Sequence, residues 1–166
     1  MIDLEPTTGD PVQLRRAYGC FPSGVTAICA LDGSGTPVGI AASSFTSVSV
    51  EPALVSVCVQ NSSTTWPRLR GLPRLGVSVL AEEQNAAAQR LATKEGDRFA
   101  ELDWVSTDDG SVLVEGAVAW LDCSIHAEVA AGDHEIVLLA IHAVRADPDR
   151  APLVFHGSRF RQLAAV

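Results

Sequence analysis

Short runs in which apolar side chains alternate with small or polar ones dominate this chain. "GVTAICAL" (24–31), "PVGIAAS" (37–43), "PALVSVCVQ" (52–60) and "RLGVSVL" (74–80) carry the period-two pattern of β-strands. The first two are joined by "DGSGT", a hairpin signal. A longer strand is expected over 117–129, "AVAWLDCSIHAEV". It sets Ala117, Ala119, Leu121, Cys123, Ile125, Ala127 and Val129 on one face, while the other turns polar at Asp122, Ser124, His126 and Glu128. After "AAGDH", the run "EIVLLAIHAV" (135–144) is apolar on both faces and reads as a central strand.

Helical spacing is confined to two places. "VQLRRAYG" (12–19) predicts a short helix, and "EEQNAAAQRLATKEG" (82–96) the clearest one. In the latter, acids occupy the first turn, Ala87, Ala88, Leu91 and Ala92 form the stripe, Lys94 falls in the last turn and Gly96 ends it. About six strands joined without helical crossovers predict a mainly β fold, a small antiparallel barrel with a few short helices. Repeats, linkers and low-complexity tails are absent, so residues 1–166 read as a single domain.

Composition narrows the chemistry. Nearly half of the residues, 47%, are apolar, enough for a core without metal or disulfides. A formal charge of -8, with no Lys/Arg cluster, argues against partners such as nucleic acid or an anionic membrane. The start "MIDLEPTTGDP" lacks the features of a signal peptide, and no apolar run is long enough to span a bilayer, so a cytoplasmic protein is expected. Cys20, Cys29, Cys58 and Cys123 are widely spaced and read as reduced, buried, structural thiols. His126, His134, His142 and His156 show no metal-ligand spacing, and no metal is expected. Dinucleotide-fold, P-loop and hydrolase-elbow signatures are missing.

Two hydroxyl-rich segments remain unexplained by any of this. "ASSFTSVS" (42–49) has five hydroxyls in eight positions. On its own it reads most simply as a half-buried edge strand whose hydroxyls serve local backbone groups. "QNSSTTWPRLR" (60–70) puts Asn61, Ser62, Ser63, Thr64 and Thr65 directly before Trp66-Pro67, so one of them should cap a short helix. That helix start suits a phosphate, with Arg68 and Arg70 as added charge, although a plain capped surface helix explains it as well. The two segments flank one strand and lie within roughly 20 Å of each other. A flat ligand with a polar edge and a phosphate fits that arrangement.

Further motifs stand in a characteristic order: "FPSGVT" at 21–26, "ASSFTSVS" at 42–49, "RF" at 98–99 and "GDH" at 132–134. Together they resemble the flavin reductase-like family, the short-chain NAD(P)H:flavin oxidoreductases of two-component monooxygenases, from about Leu14 to Leu163. The resemblance implies a Greek-key split β-barrel, a homodimer, and FMN or FAD bound near the dimer interface. It implies that Ala41, Ala42, Ser43 and Ser44 lie along the isoalloxazine and that Gln60, Asn61, Ser62, Ser63 and Thr64 approach the ribityl chain and phosphate. Arg98 and Phe99 match positions beside the flavin. Gly132 and Asp133 form a turn that presents His134 to the nicotinamide side. Two departures occur. Glu51 and Ala53 stand where an acid and two prolines are common, and Phe160 stands, near the nicotinamide, where tyrosine is usual. The implied activity is hydride transfer from C4 of NADH or NADPH to N5 of the flavin, which then leaves for a separate flavin-dependent monooxygenase. A flavin carrier on the same barrel is the alternative, and bleaching of bound flavin by NADH separates the two.

Overall fold

The computed structural model describes residues 2–164. Its frame is a seven-stranded antiparallel sheet. In chain order the strands are β2 (Thr26–Leu31), β3 (Pro37–Ala42), β4 (Thr46–Ser49), β5 (Leu54–Gln60), β6 (Leu75–Val79), β9 (Ala119–Ala131) and β10 (His134–Ala146). Their spatial order is β3-β2-β6-β9-β10-β5-β4. Side chains from six of these strands, among them Ile28, Val38, Val57, Val77, Leu121 and Leu139, meet in one buried cluster. The sheet therefore curls around its own core, and the fold is an antiparallel split β-barrel. Each fully buried Val, Leu or Ile in such a core contributes about 1.5–3 kcal/mol.

β2 is buried on both faces because two different elements cover them. Ile28 and Ala30 point into the barrel core. Ala27 and Cys29 pack on a second cluster with Leu91 of α3 (Asn85–Ala92) and Val112 and Val114 of β8 (Val112–Val114). Burial drives the Cys29 thiol up to about 12, out of reach of ionisation.

The strand expected over 24–31 divides at Val25. β1 (Ser23–Gly24) pairs with β11 (Val154–His156), which pairs with β12 (Arg159–Arg161), forming a separate three-stranded sheet. The hairpin of β7 (Trp104–Ser106) and β8 was likewise not expected, since two- and three-residue strands are too short to show a period. α1 (Pro11–Tyr18) forms one residue earlier than expected, capped by Asp10, whose carboxylate accepts the Val12 N–H at 2.9 Å.

The helix expected over 82–96 is shorter than its pattern. Ala81 bridges Pro152 and the Glu82 N–H donates to Ala151 O at 3.0 Å, so Glu82 and Glu83 lie outside the first turn. α3 ends at Ala92 because Thr93 is extended and its hydroxyl donates to Arg90 O at 2.9 Å. Lys94 thus belongs to a loop. Ala88 and Leu91 do form the buried stripe.

The β9–β10 hairpin departs from simple alternation in an informative way. Leu138 faces Ala127 but Leu139 faces Ile125, so His126 is an extra residue, a β-bulge; a second stands at His142. Below His126, Leu121, Cys123 and Ile125 point inward, whereas above it the phase reverses. Glu128 pairs with inward Val137, and Ala127 and Val129 turn outward with Leu138 and Ile136. The uniform face expected over 117–129 is therefore broken, and Val129 is 51% exposed. β10 is central in its hydrogen bonding, lying between β9 and β5, but its far end is not buried: Val144 is 67% exposed.

Candidate active site

At the split in the barrel the end of β3 and the end of β5 face each other across a cavity of about 430 Å³. Ala41, Ala42, Ser43 and Ser44 form one wall. Cys58, Val59 and Gln60 form the other, and Ser62, Ser63, Thr64 and Thr65 continue it around the base. Leu91 and Ala92 of α3, with Lys94 and Arg98 after it, close one side, and His134 stands at the rim. A second lobe of about 310 Å³ adjoins it, sharing Thr64, Thr65, Lys94 and Arg98 and adding Gly39, Arg68 and Phe99. Both hydroxyl-rich segments therefore meet in one place.

The first segment does two jobs. Thr46 to Ser49 is an edge strand, as its alternation suggested, whereas Ser43 and Ser44 leave the ladder and line the cavity. Ser44 Oγ accepts the Cys58 N–H at 2.8 Å and donates to Cys58 O at 3.1 Å. In the second segment Thr65 holds the N-cap position of α2 (Trp66–Leu69) without a side-chain bond, and the Ser63 hydroxyl accepts the Trp66 N–H at 3.1 Å, with Pro67 in the first turn. The hydroxyls of Ser62 and Thr64 have no partner among the described residues.

The cations sort themselves by their partners. Arg98 is half-buried and donates from Nη1 to Gly39 O at 2.8 Å, which leaves its other N–H groups for a ligand. Arg68, which lines the second lobe, pairs with Asp32 at 3.1 Å. Asp32 is held at a pKa of about 2, first by the Ser34 hydroxyl and the Thr36 and Ser34 amides. Arg70 is turned away, paired with Glu128 at 2.7 Å and Glu135 at 3.7 Å, and lines neither lobe.

The turn before His134 is tied to the second segment. Gly132 takes a left-handed φ of 68°, Asn61 N–H donates to Asp133 O at 3.0 Å, and Asn61 Nδ2 donates to Gly132 O at 3.2 Å. His134 Nδ1 lies 2.7 Å from Asp133 Oδ1, and this bond holds the Asp133 carboxyl below the usual carboxylate range. With Nδ1–H donating to Asp133, Nε2 is the nitrogen left for chemistry. Asn61, Gly132 and Asp133 are exposed and do not line the cavity; they hold the turn that carries His134. Phe160 lines neither lobe: it packs edge-on against Phe155, centroids 5.6 Å apart, over the second core cluster.

Lys94 and Cys58 are lining residues that their sequence context concealed. Lys94 reads as the end of a helix, and Cys58 as one more apolar position in "LVSVCVQ". Cys58 is exposed, as is Cys20, which corrects the expectation of four buried thiols; Cys29 and Cys123 are buried.

A split barrel whose open edge holds a polar cleft, with hydroxyls that have no partner among the described residues at its base and two cations beside them, has the donor set that suits a phosphate-bearing nucleotide. The chain belongs to the flavin reductase like domain family, which it matches over residues 18–164. It is 37% identical over 157 residues to a flavin reductase of Pseudomonas putida, covering 95% of this chain and 92% of that protein. The NADH:FAD oxidoreductase SgcE6 of Streptomyces globisporus C-1027, solved with NAD and FAD fragments, is 42% identical. It superposes with a TM-score of 0.90 over 98% of each chain. The reductase subunit HsaB of a flavin-dependent monooxygenase from Rhodococcus jostii is 34% identical over 91% of this chain and 77% of its own.

Proposed function

We propose that this protein is an NAD(P)H-dependent flavin reductase that supplies reduced flavin to a separate monooxygenase. The observation that carries this is the single cavity in which both hydroxyl-rich segments, Arg98 and His134 converge. The flavin reductases and reductase subunits among its relatives support it.

The residues present fit a flavin. Residues 41–44 offer a neutral polar wall for a ring edge, and Ser62, Thr64, Lys94 and Arg98 suit a phosphate. When bound, the flavin supplies the hydride acceptor. The chain's own work is to hold two rings in contact, exclude water and offer donors where negative charge develops at the ring edge. His134 orients the nicotinamide, itself oriented by Asp133. The second lobe provides room beyond the phosphate, which supports FAD over FMN. The outward apolar residues of the hairpin, Ala127 and Val129 of β9 with Ile136 and Leu138 of β10, support a homodimer formed on that hairpin, where Val129 is exposed. No helix among the described residues is long and apolar enough to cross a membrane.

Initial rates of NADH and NADPH oxidation, each with no flavin, riboflavin, FMN or FAD, test the reading in one plate. Flavin-dependent turnover, fastest with FAD, is expected. Absence of turnover with every flavin, while FMN or FAD still raises Tm, would overturn it in favour of a carrier. In the same assay His134→Ala should lower NADH oxidation more than flavin affinity; equal loss of both would refute its assignment.

A further inference from the structure

β4 and β5 pair with Thr46 opposite Ser56. Extending that register by two residues sets Ser44 opposite Cys58, where a continued ladder would exchange main-chain hydrogen bonds. The backbone of Ser44 does not make them. Its hydroxyl does, accepting the Cys58 N–H at 2.8 Å and donating to Cys58 O at 3.1 Å. One side chain thus satisfies both polar groups of the Cys58 residue, as a neighbouring strand would.

The consequence lies on the other side of the substitution. Among the described residues, no backbone N–H or C=O of Ser43, Ser44 or Phe45 hydrogen-bonds to the protein. Just before them, Ala42 O is taken by the Thr26 hydroxyl at 3.0 Å. Ser43 and Ser44 line the cavity. A segment pinned at both ends, with its own peptides unspent, is a preorganised set of neutral donors and acceptors.

We infer that Ser44 is a positioning residue. Its hydroxyl takes the place of its own peptide in the β4–β5 ladder, and so frees the main chain of residues 43–45 to bind the polar edge of the flavin ring. This rests on the flavin reading above. It differs from the simpler assignment in which the Ser44 hydroxyl itself bonds the flavin, because that hydroxyl is already engaged as both donor and acceptor. Ser43, exposed and without a side-chain partner among the described residues, has no such duty.

The test compares Ser44→Ala with Ser44→Thr, which keeps the hydroxyl, using two readouts. The first is amide hydrogen exchange at Cys58 in flavin-free protein, referenced to the buried amides of β2. The second is the Kd for FAD and FMN by fluorescence titration. Loss of one hydrogen-bonded clamp is worth about a tenfold change in each. We expect Ser44→Ala to speed Cys58 exchange and weaken flavin binding by that factor, with β2 unchanged, and Ser44→Thr to restore both. Weaker flavin binding with Cys58 exchange unaltered would overturn the inference and return the hydroxyl to direct flavin contact. Faster Cys58 exchange with flavin affinity unchanged would also overturn it, since the freed peptides would then have no part in binding. Cys58 exchange needs neither flavin nor turnover, so a failed clamp and a failed reductase reading are distinguishable.

Discussion

Gly39 lies directly opposite Cys29 in the β2–β3 pairing, and the fit between them sets the shape of the second lobe. A Cβ added at Gly39 would stand 2.5 Å from Cys29 Sγ, 2.9 Å from Phe99 Cζ and 3.2 Å from Ile28 O. The two nearest atoms belong to side chains, so the strand survives Gly39→Ala, but both must move. Overpacking of this kind costs about 2 kcal/mol, which lowers Tm by roughly 4–8 °C in a chain of this size. Cys29→Ala alone removes the buried sulfur and costs about 1 kcal/mol. In the double variant the new methyl group occupies the space the sulfur left, and only Phe99 must yield. The pair should therefore cost about 1.5 kcal/mol in place of the additive 3, a coupling of about 1.5 kcal/mol. Urea unfolding of the four proteins, with unchanged slopes, measures it. Additivity within about 0.5 kcal/mol would refute the proposed contact, and so would a neutral Gly39→Ala.

Three further outcomes follow from the geometry. Asp122, only 12% exposed, accepts from Arg74 and from Ser111 Oγ at 2.5 Å; Asp122→Ala strands a largely buried guanidinium and should cost about 3 kcal/mol in urea unfolding, whereas Asp109→Ala, at 3.9 Å on the exposed side, should be near neutral. The folded-state pKa of Asp32, about 2, lies below the ordinary carboxylate value. Its contribution to stability is thus whole above about pH 4 and fades as pH falls toward 2; Asp32→Asn should flatten that part of a Tm-against-pH curve, and an unchanged curve would refute the turn's role. A thiol reagent at neutral pH should label Cys20 and Cys58 but leave Cys29 and Cys123, both pushed up to about 12, and added FAD should protect Cys58 alone; mass spectrometry after digestion reads each site.

The sequence pattern located the long elements well, because six or more alternating residues that bury one face leave a clear period. β2, β3, β5 and β6 stand within two residues of their expected bounds. The failures share a physical origin: a backbone committed elsewhere. Glu82 looks like a helical first turn but its amide is spent on Ala151, and Thr93 closes α3 with its own side chain. At the site, hydroxyl density marked both walls, yet density says nothing of which hydroxyls are spent. Ser63 and Ser44 are consumed by main-chain groups while Ser43, Ser62 and Thr64 have no partner among the described residues, and that division depends on contacts with Trp66 and Cys58 set only by the fold. Phe160, named through resemblance alone, packs in the other core cluster.

The bulge at His126 has a genetic corollary. Everything beyond it in β9 owes its facing to one surplus residue, which puts Glu128 beside Arg70 and turns Ala127 and Val129 to the outside. Point substitutions along this hairpin alter one side chain each, but losing the single codon for His126 would exchange the two surfaces of the whole upper strand at once. Glu128 would swing away from Arg70 and the outward apolar surface would be withdrawn. For this hairpin, reading frame within the strand is a heritable trait in its own right, and related chains should vary the residues of the bulge far more freely than their number.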